Sequence, residues 1–288
     1  MIMSRLFVRA GVGLAGAALS YWTGLYLNQR TLVFKPVNDY PMDGSAVPVA
    51  EAPAEHCRRR VQVNHFWMES DFDQCRLEVI SVEPQGDVQD VVLYLGGRSE
   101  DIRWLPKLAS HNPDMAFFAH NYRGFGQSAG QASETDSIRD SAQLLDRLLH
   151  DYAHARVHVV GRSLGTGVAM QLVASRPQVH SLHLITPYDS IVEIAREKFP
   201  LAPVGTFLSH RFESMRFADQ IRVPTQIIMA QQDTVVPHHR TQRLIAAFRN
   251  EVNVHVIENS DHSSVVTDVR TWSVVSSFVG MLDALEKV

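Results

Sequence analysis

Three side chains in this sequence have the types and order that acyl-transfer chemistry needs. Ser163 stands in G-R-S-L-G, between Gly161 and Gly165, where the hydrophobic run R-V-H-V-V gives way to L-G-T-G-V-A-M-Q-L-V-A. A serine on such a turn is either an ordinary helix N-cap or a nucleophile held clear of a strand end. Asp233, in M-A-Q-Q-D-T-V-V-P, and His262, in I-E-N-S-D-H-S-S-V, each follow a strand-like run. Serine, acid and base therefore come in the order found when a nucleophile elbow is served by a later acid and a last histidine. In that chemistry the histidine takes the serine proton, and the aspartate fixes the imidazole tautomer and offsets its charge. The amide of Leu164, at the start of the following helix, is placed to stabilise an oxyanion. Read singly, Asp233 is a turn residue ahead of Pro237 and His262 a surface-loop histidine. Their joint order argues against that pairing of readings.

The elements that must position these residues alternate. Residues 61–68 and 76–82 read as a hairpin, and strands are expected at 90–97, 115–124, 156–161, 179–186, 224–230 and 253–258. Helices are expected at 102–111, 133–152, 164–175, 241–248 and 264–285, the second carrying an apolar stripe through Ile138, Ala142, Leu145, Leu148 and Leu149. Alternating strands and helices predict an α/β fold with a mostly parallel sheet covered on both faces. Ligands in such sheets bind beyond the carboxyl ends of the strands, where all three residues fall.

The chain of 288 residues is 45% hydrophobic and 20% charged, ordinary for a globular protein, and its net charge of −4 argues against nucleic acid as a partner. His238 and His239 follow Pro237 at a helix start and read as solvated side chains rather than metal ligands; no metal site is expected. Cys57 and Cys75 flank the hairpin. A turn near Asp71 would place Cys75 opposite Met68 and leave Cys57 beyond reach, which argues against a disulfide.

Residues 10–29 are uncharged, follow Arg5 and Arg9, and end near Tyr21, Trp22 and Tyr26 before Arg30. This reads as a retained membrane anchor, oriented with its basic end in the cytosol and the body on the non-cytosolic side. The alternative is a signal peptide cut near Ala18-Leu19-Ser20, giving a secreted or periplasmic protein. The organisation expected is an anchor or signal segment at 1–30, a linker at 31–55 and a catalytic domain at 56–288.

The stretches N-Y-R-G-F-G-Q-S-A-G, G-R-S-L-G-T-G, D-T-V-V-P and D-H, in this order between Val61 and Leu285, resemble the α/β-hydrolase superfamily of serine hydrolases. P-Y-D-S-I and A-R-E-K-F-P further resemble a membrane-anchored branch that includes protein depalmitoylases and small lipid hydrolases. The resemblance implies an α/β-hydrolase fold with a short lid at about 187–223. Ser163, Asp233 and His262 would form the triad, and the backbone amides of Leu164 and Arg98 the oxyanion hole. Gly96 stands where that branch carries histidine, which bears on loop shape and substrate preference. Gly97, Arg162, Tyr188, Asp189 and Phe199 are the candidates for lining the substrate, with Phe207 and Phe212 further lid aromatics. Asp189 is the second candidate for the triad acid. The implied activity is hydrolysis of carboxylic esters or thioesters on lipid-like or acylated substrates, with no cofactor. A peptidase of the same fold and a non-catalytic binding protein are the alternatives.

Overall fold

The computed structural model describes residues 2–37, 61–109 and 112–286. Cys57 and most of the proline-rich lead-in at 36–53 lie outside them. Eight strands form one sheet: β1 (Val61–Glu69), β2 (Arg76–Pro84), β3 (Asp90–Leu95), β4 (Met115–His120), β5 (Arg156–Arg162), β6 (Ser181–Ile185), β7 (Thr225–Ala230) and β8 (Asn253–Ile257). Their order is β1-β2-β4-β3-β5-β6-β7-β8, with β1–β2 and β2–β4 antiparallel and every other pair parallel.

The central strands are continuous apolar runs because helices cover both faces. Along β3, Val91, Leu93 and Leu95 point into one core layer and Val92 and Tyr94 into the other. The first layer takes Leu144, Leu145 and Leu148 of α3 (Glu134–Asp151) and Val168 and Leu172 of α4 (Leu164–Ala174). The second takes Leu105 and Leu108 of α2 (Leu105–Ala109) and Trp272, Val275 and Val279 of α8 (Val269–Glu286).

Several boundaries differ from the sequence expectation. The helix expected at 241 begins three residues earlier, as α7 (His238–Ala247), directly after the extended Pro237. The closing helix begins at Val269 rather than Ser264: Ser264–Val266 is only a 3₁₀ turn, and Asp268 caps the true start by accepting from the Arg270 N–H at 2.9 Å. The segment between β6 and β7 carries two helices that were not expected, α5 (Ile191–Lys198) and α6 (Val204–Phe207). In the hairpin Met68 pairs with Leu77, and Ser70 donates its N–H to the Cys75 carbonyl, so Ser70 rather than Met68 lies opposite Cys75.

The N-terminal segment is helical. Residues 2–33 form helix α1 (Ile2–Val33), but among the described residues no helix is long and apolar enough to cross a membrane. The far end of α1 instead lies on the body. Trp22 Nε1 donates to the Leu201 carbonyl at 3.0 Å, and Gln29 Oε1 accepts from the Ser209 N–H at 2.7 Å. Phe34, which follows α1, is buried against Phe212.

Candidate active site

Ser163 separates β5 from α4 with φ 50° and ψ −116°. Positive φ is costly for a residue with a Cβ, so the turn persists only because its surroundings fix it. The Ser163 N–H is bonded to the Ile185 carbonyl at 2.9 Å. A Cβ on Gly165 would fall 2.1 Å from the Leu95 carbonyl oxygen, and one on Gly161 would fall 2.7 Å from the Gly165 carbonyl oxygen. The two glycines of G-R-S-L-G are therefore demanded by close backbone approach, and the serine is not an ordinary cap: its side chain makes no capping bond.

That side chain meets His262 instead. Ser163 Oγ lies 2.8 Å from His262 Nε2, and His262 Nδ1 lies 2.8 Å from Asp233 Oδ2. Ser163 follows β5, Asp233 follows β7 and His262 follows β8, so three strand ends on one sheet edge converge. The other Asp233 oxygen accepts from the N–H groups of Val235 and Val236 at 2.9 and 2.8 Å. Burial alone would raise this carboxyl. The hydrogen bond and charge of His262, with the two amides, outweigh it and hold the group below the usual carboxylate range.

The other predicted residues separate into two groups. Arg98, Ser163, Leu164, Tyr188 and Phe199 line a cavity of about 640 Å³. Gly97, Arg162 and Asp189 do not. Gly97 gives its N–H to Glu100 Oε2 at 2.7 Å and packs against Arg162, whose guanidinium would clash with any Cβ there. Arg162 turns behind the site and donates from Nη2 to the His262 carbonyl at 2.9 Å, bracing the loop that carries the histidine. Asp189 is buried and paired with Arg240 at 2.9 Å, so it is not the acid that orients His262. Phe207 joins Phe199 in the cavity wall, while Phe212 is fully buried in the core. His238 and His239 are not simply solvated: the first bonds the Ala230 carbonyl and the second Glu197, each at 2.9 Å.

Two contributors were missed in the sequence. Trp22, Leu25, Tyr26, Gln29, Leu32 and Val33 of α1 line one side of the cavity. Their spacing of three and four is a helical stripe, which in the sequence alone reads equally as an interface with lipid. Glu100 was also missed; it accepts from Gly97, from Tyr94 Oη at 2.5 Å and from Trp104 Nε1 at 2.8 Å, tying down the loop that bears Arg98. The N-Y-R-G-F-G-Q-S stretch is scaffolding. Arg123 pairs with Asp140 and Asp73, and Asn121 Nδ2 donates to the buried Glu78.

Residues 86–220 match the family model described as "Serine aminopeptidase, S33". An uncharacterized protein of Mycobacterium tuberculosis is 27% identical over 176 residues, 60% of this chain and 62% of that protein. The lysophosphatidylserine lipase ABHD12 of Danio rerio is 30% identical over 202 residues, 60% of this chain and 52% of that one. The matches thus span about three fifths of the length of the first of these curated relatives. Among solved structures, the Pyrococcus furiosus esterase Pf2001 superposes with a TM-score of 0.62 at 16% identity, covering 76% of this chain and 92% of that one. A cold-adapted esterase from an Arctic intertidal metagenomic library gives 0.54 at 20% identity, covering 80% and 97%. The superpositions show that the chain has the α/β-hydrolase fold, and residues 86–220 are similar to the serine aminopeptidase S33 family.

Proposed function

We propose that the protein is a serine hydrolase of carboxylic esters or thioesters. The observation that carries this reading is the hydrogen-bonded series Ser163–His262–Asp233 opening onto an apolar-walled cavity. Ser163 Oγ attacks the acyl carbonyl as His262 Nε2 takes its proton, and Asp233 offsets the imidazolium charge. The N–H of Leu164, a first-turn amide with no intrahelical acceptor, and the N–H of Arg98 hold the oxyanion. His262 then protonates the leaving alcohol or thiol. In the second half it draws a proton from water, which attacks the acyl-enzyme and frees the acid.

The lining supports an acyl chain as the substrate's apolar part. Trp22, Leu25 and Tyr26 line the cavity from α1, and Ile194, Phe199 and Phe207 from the segment between β6 and β7, with the Tyr26 and Phe207 rings edge to face at 6.1 Å. Leu27, Leu201 and Phe207 leave much of their surface exposed. We read this apolar margin as the feature that meets esters presented on a lipid or micelle surface.

The match to a serine aminopeptidase model favours a peptidase as the second reading. A free amino terminus would need a carboxylate in the cavity. Glu197 is there, but Arg240 and His239 already bond it. The test is a panel of 4-nitrophenyl esters of graded chain length beside aminoacyl 4-nitroanilides. Ester turnover that rises with chain length, with anilides left intact, supports the esterase. Cleavage of the anilides alone overturns it.

A further inference from the structure

Arg98 contributes more to the cavity than a backbone amide. Arg98 is partly buried and lines the same cavity as Ser163 and Leu164. Among the described residues its guanidinium meets no carboxylate, and its Nε is buried without an acceptor. The other buried arginines among the described residues each meet a carboxylate: Arg103 with Asp101, Arg123 with Asp140, Arg162 with Glu100 and Arg240 with Asp189. Glu100, two residues on, is already engaged by Gly97, Tyr94, Trp104 and Arg162. A half-buried cation without a counter-charge is unfavourable, and here burial alone depresses the guanidinium, with no neighbouring charge to oppose it. The residue is also fixed in place. The Gly97 N–H is held by Glu100, and the Arg98 carbonyl accepts from the Lys35 N–H at 2.8 Å.

We propose that the Arg98 side chain is the recognition group for an anion carried by the substrate, a carboxylate or phosphate close to the scissile ester. The substrate class is then the anionic amphiphile: an acyl chain in the apolar cavity, with an oxyanion-bearing group at the guanidinium. A planar guanidinium suits both anions through paired N–H···O bonds. The inference rests on the esterase reading for its kinetic consequence but not for its binding consequence.

Two measurements test it. The first is the ratio of kcat/KM for 3-carboxy-4-nitrophenyl octanoate to that for 4-nitrophenyl octanoate, which share an acyl chain. The wild type is expected to favour the carboxylated ester by about tenfold or more, as for hydrogen bonds to a charged group. Arg98→Met should bring the ratio near unity and Arg98→Lys restore part of it. The second is calorimetric binding of octyl phosphate and of octanoate, each against 1-octanol, to Ser163→Ala, which needs no turnover. The anions should bind about tenfold tighter, and the added Arg98→Met change should remove the difference. Preference for octyl phosphate alone, or for octanoate alone, would tell phosphate from carboxylate. Neutral-ester turnover with no anionic preference overturns this inference and spares the esterase. Absence of any ester turnover with preferential anion binding does the reverse. A ratio erased by Lys198→Met, the other cation on the cavity wall, and not by Arg98→Met overturns the assignment to Arg98.

Discussion

The N–H of Lys35 donates to the carbonyl of Arg98 at 2.8 Å. The segment leaving α1 is thereby joined to the loop that carries Arg98. Together with Trp22, Leu25 and Tyr26 in the cavity wall, this bond makes the far end of α1 part of the site.

Substitutions on α1 should therefore alter chain-length preference. Each methylene of a bound chain that loses its apolar wall forfeits about 0.8 kcal/mol. Trp22→Ala or Tyr26→Ala, exposing about two methylenes, should raise KM for octanoyl and longer esters by about tenfold. Acetyl esters should change little. Initial rates across the ester panel check this; equal losses at every chain length would contradict it.

The two buried aspartates near the site should separate by readout. Asp233→Asn should lower turnover by about 10⁴, because His262 loses its orienting charge. Its melting temperature should fall only slightly. Asp189→Asn leaves Arg240 with the more exposed Glu193 and Glu197 and should cost about 3 kcal/mol of stability. Its remaining folded fraction should keep turnover. Melting curves beside kcat for each variant decide; the reverse ranking would move the acid to β6.

Stability should decline in mild acid. His183 is buried, and burial together with the neighbouring His158 and His180 pushes it down to about 3 despite its bond to Gln226. His158 is also lowered, burial outweighing its bond to Asp90. Both are neutral in the folded protein, whereas unfolded histidine titrates near about 6.5. Between those values the unfolded chain binds protons the native one excludes, so stability is full above about pH 6.5 and falls as pH drops. His183→Gln should flatten the decline of melting temperature between about pH 7 and about pH 4.5. An unchanged slope would assign the effect to other groups.

The sheet and the triad were legible because each rests on local signals. β5 is an apolar run ending at a glycine, and Ser163, Asp233 and His262 each directly follow a strand. The α1 wall was not, because its stripe of Trp22, Leu25, Tyr26 and Gln29 is the same whether it faces lipid, headgroups or another part of the protein. Only the partners Leu201, Phe207 and Ser209, some 180 residues away, decide. Asp189 and Arg162 were misassigned for a related reason. Position at a strand end fixes the edge, but the partners Arg240 and the His262 carbonyl fix which way a side chain turns. Gly97 likewise yields its place in the cavity to Arg98, because the Arg162 guanidinium occupies the space beside it.

The central claim is that Ser163 is a nucleophile activated by His262. Labelling with a fluorophosphonate, read by intact mass and peptide mapping, tests it most directly. The wild type should gain one adduct, on the peptide containing Ser163. Ser163→Ala should gain none while keeping its melting temperature, and its ester turnover should fall by about 10⁴ or more. An adduct on another serine, or ester turnover retained in Ser163→Ala, would contradict the account.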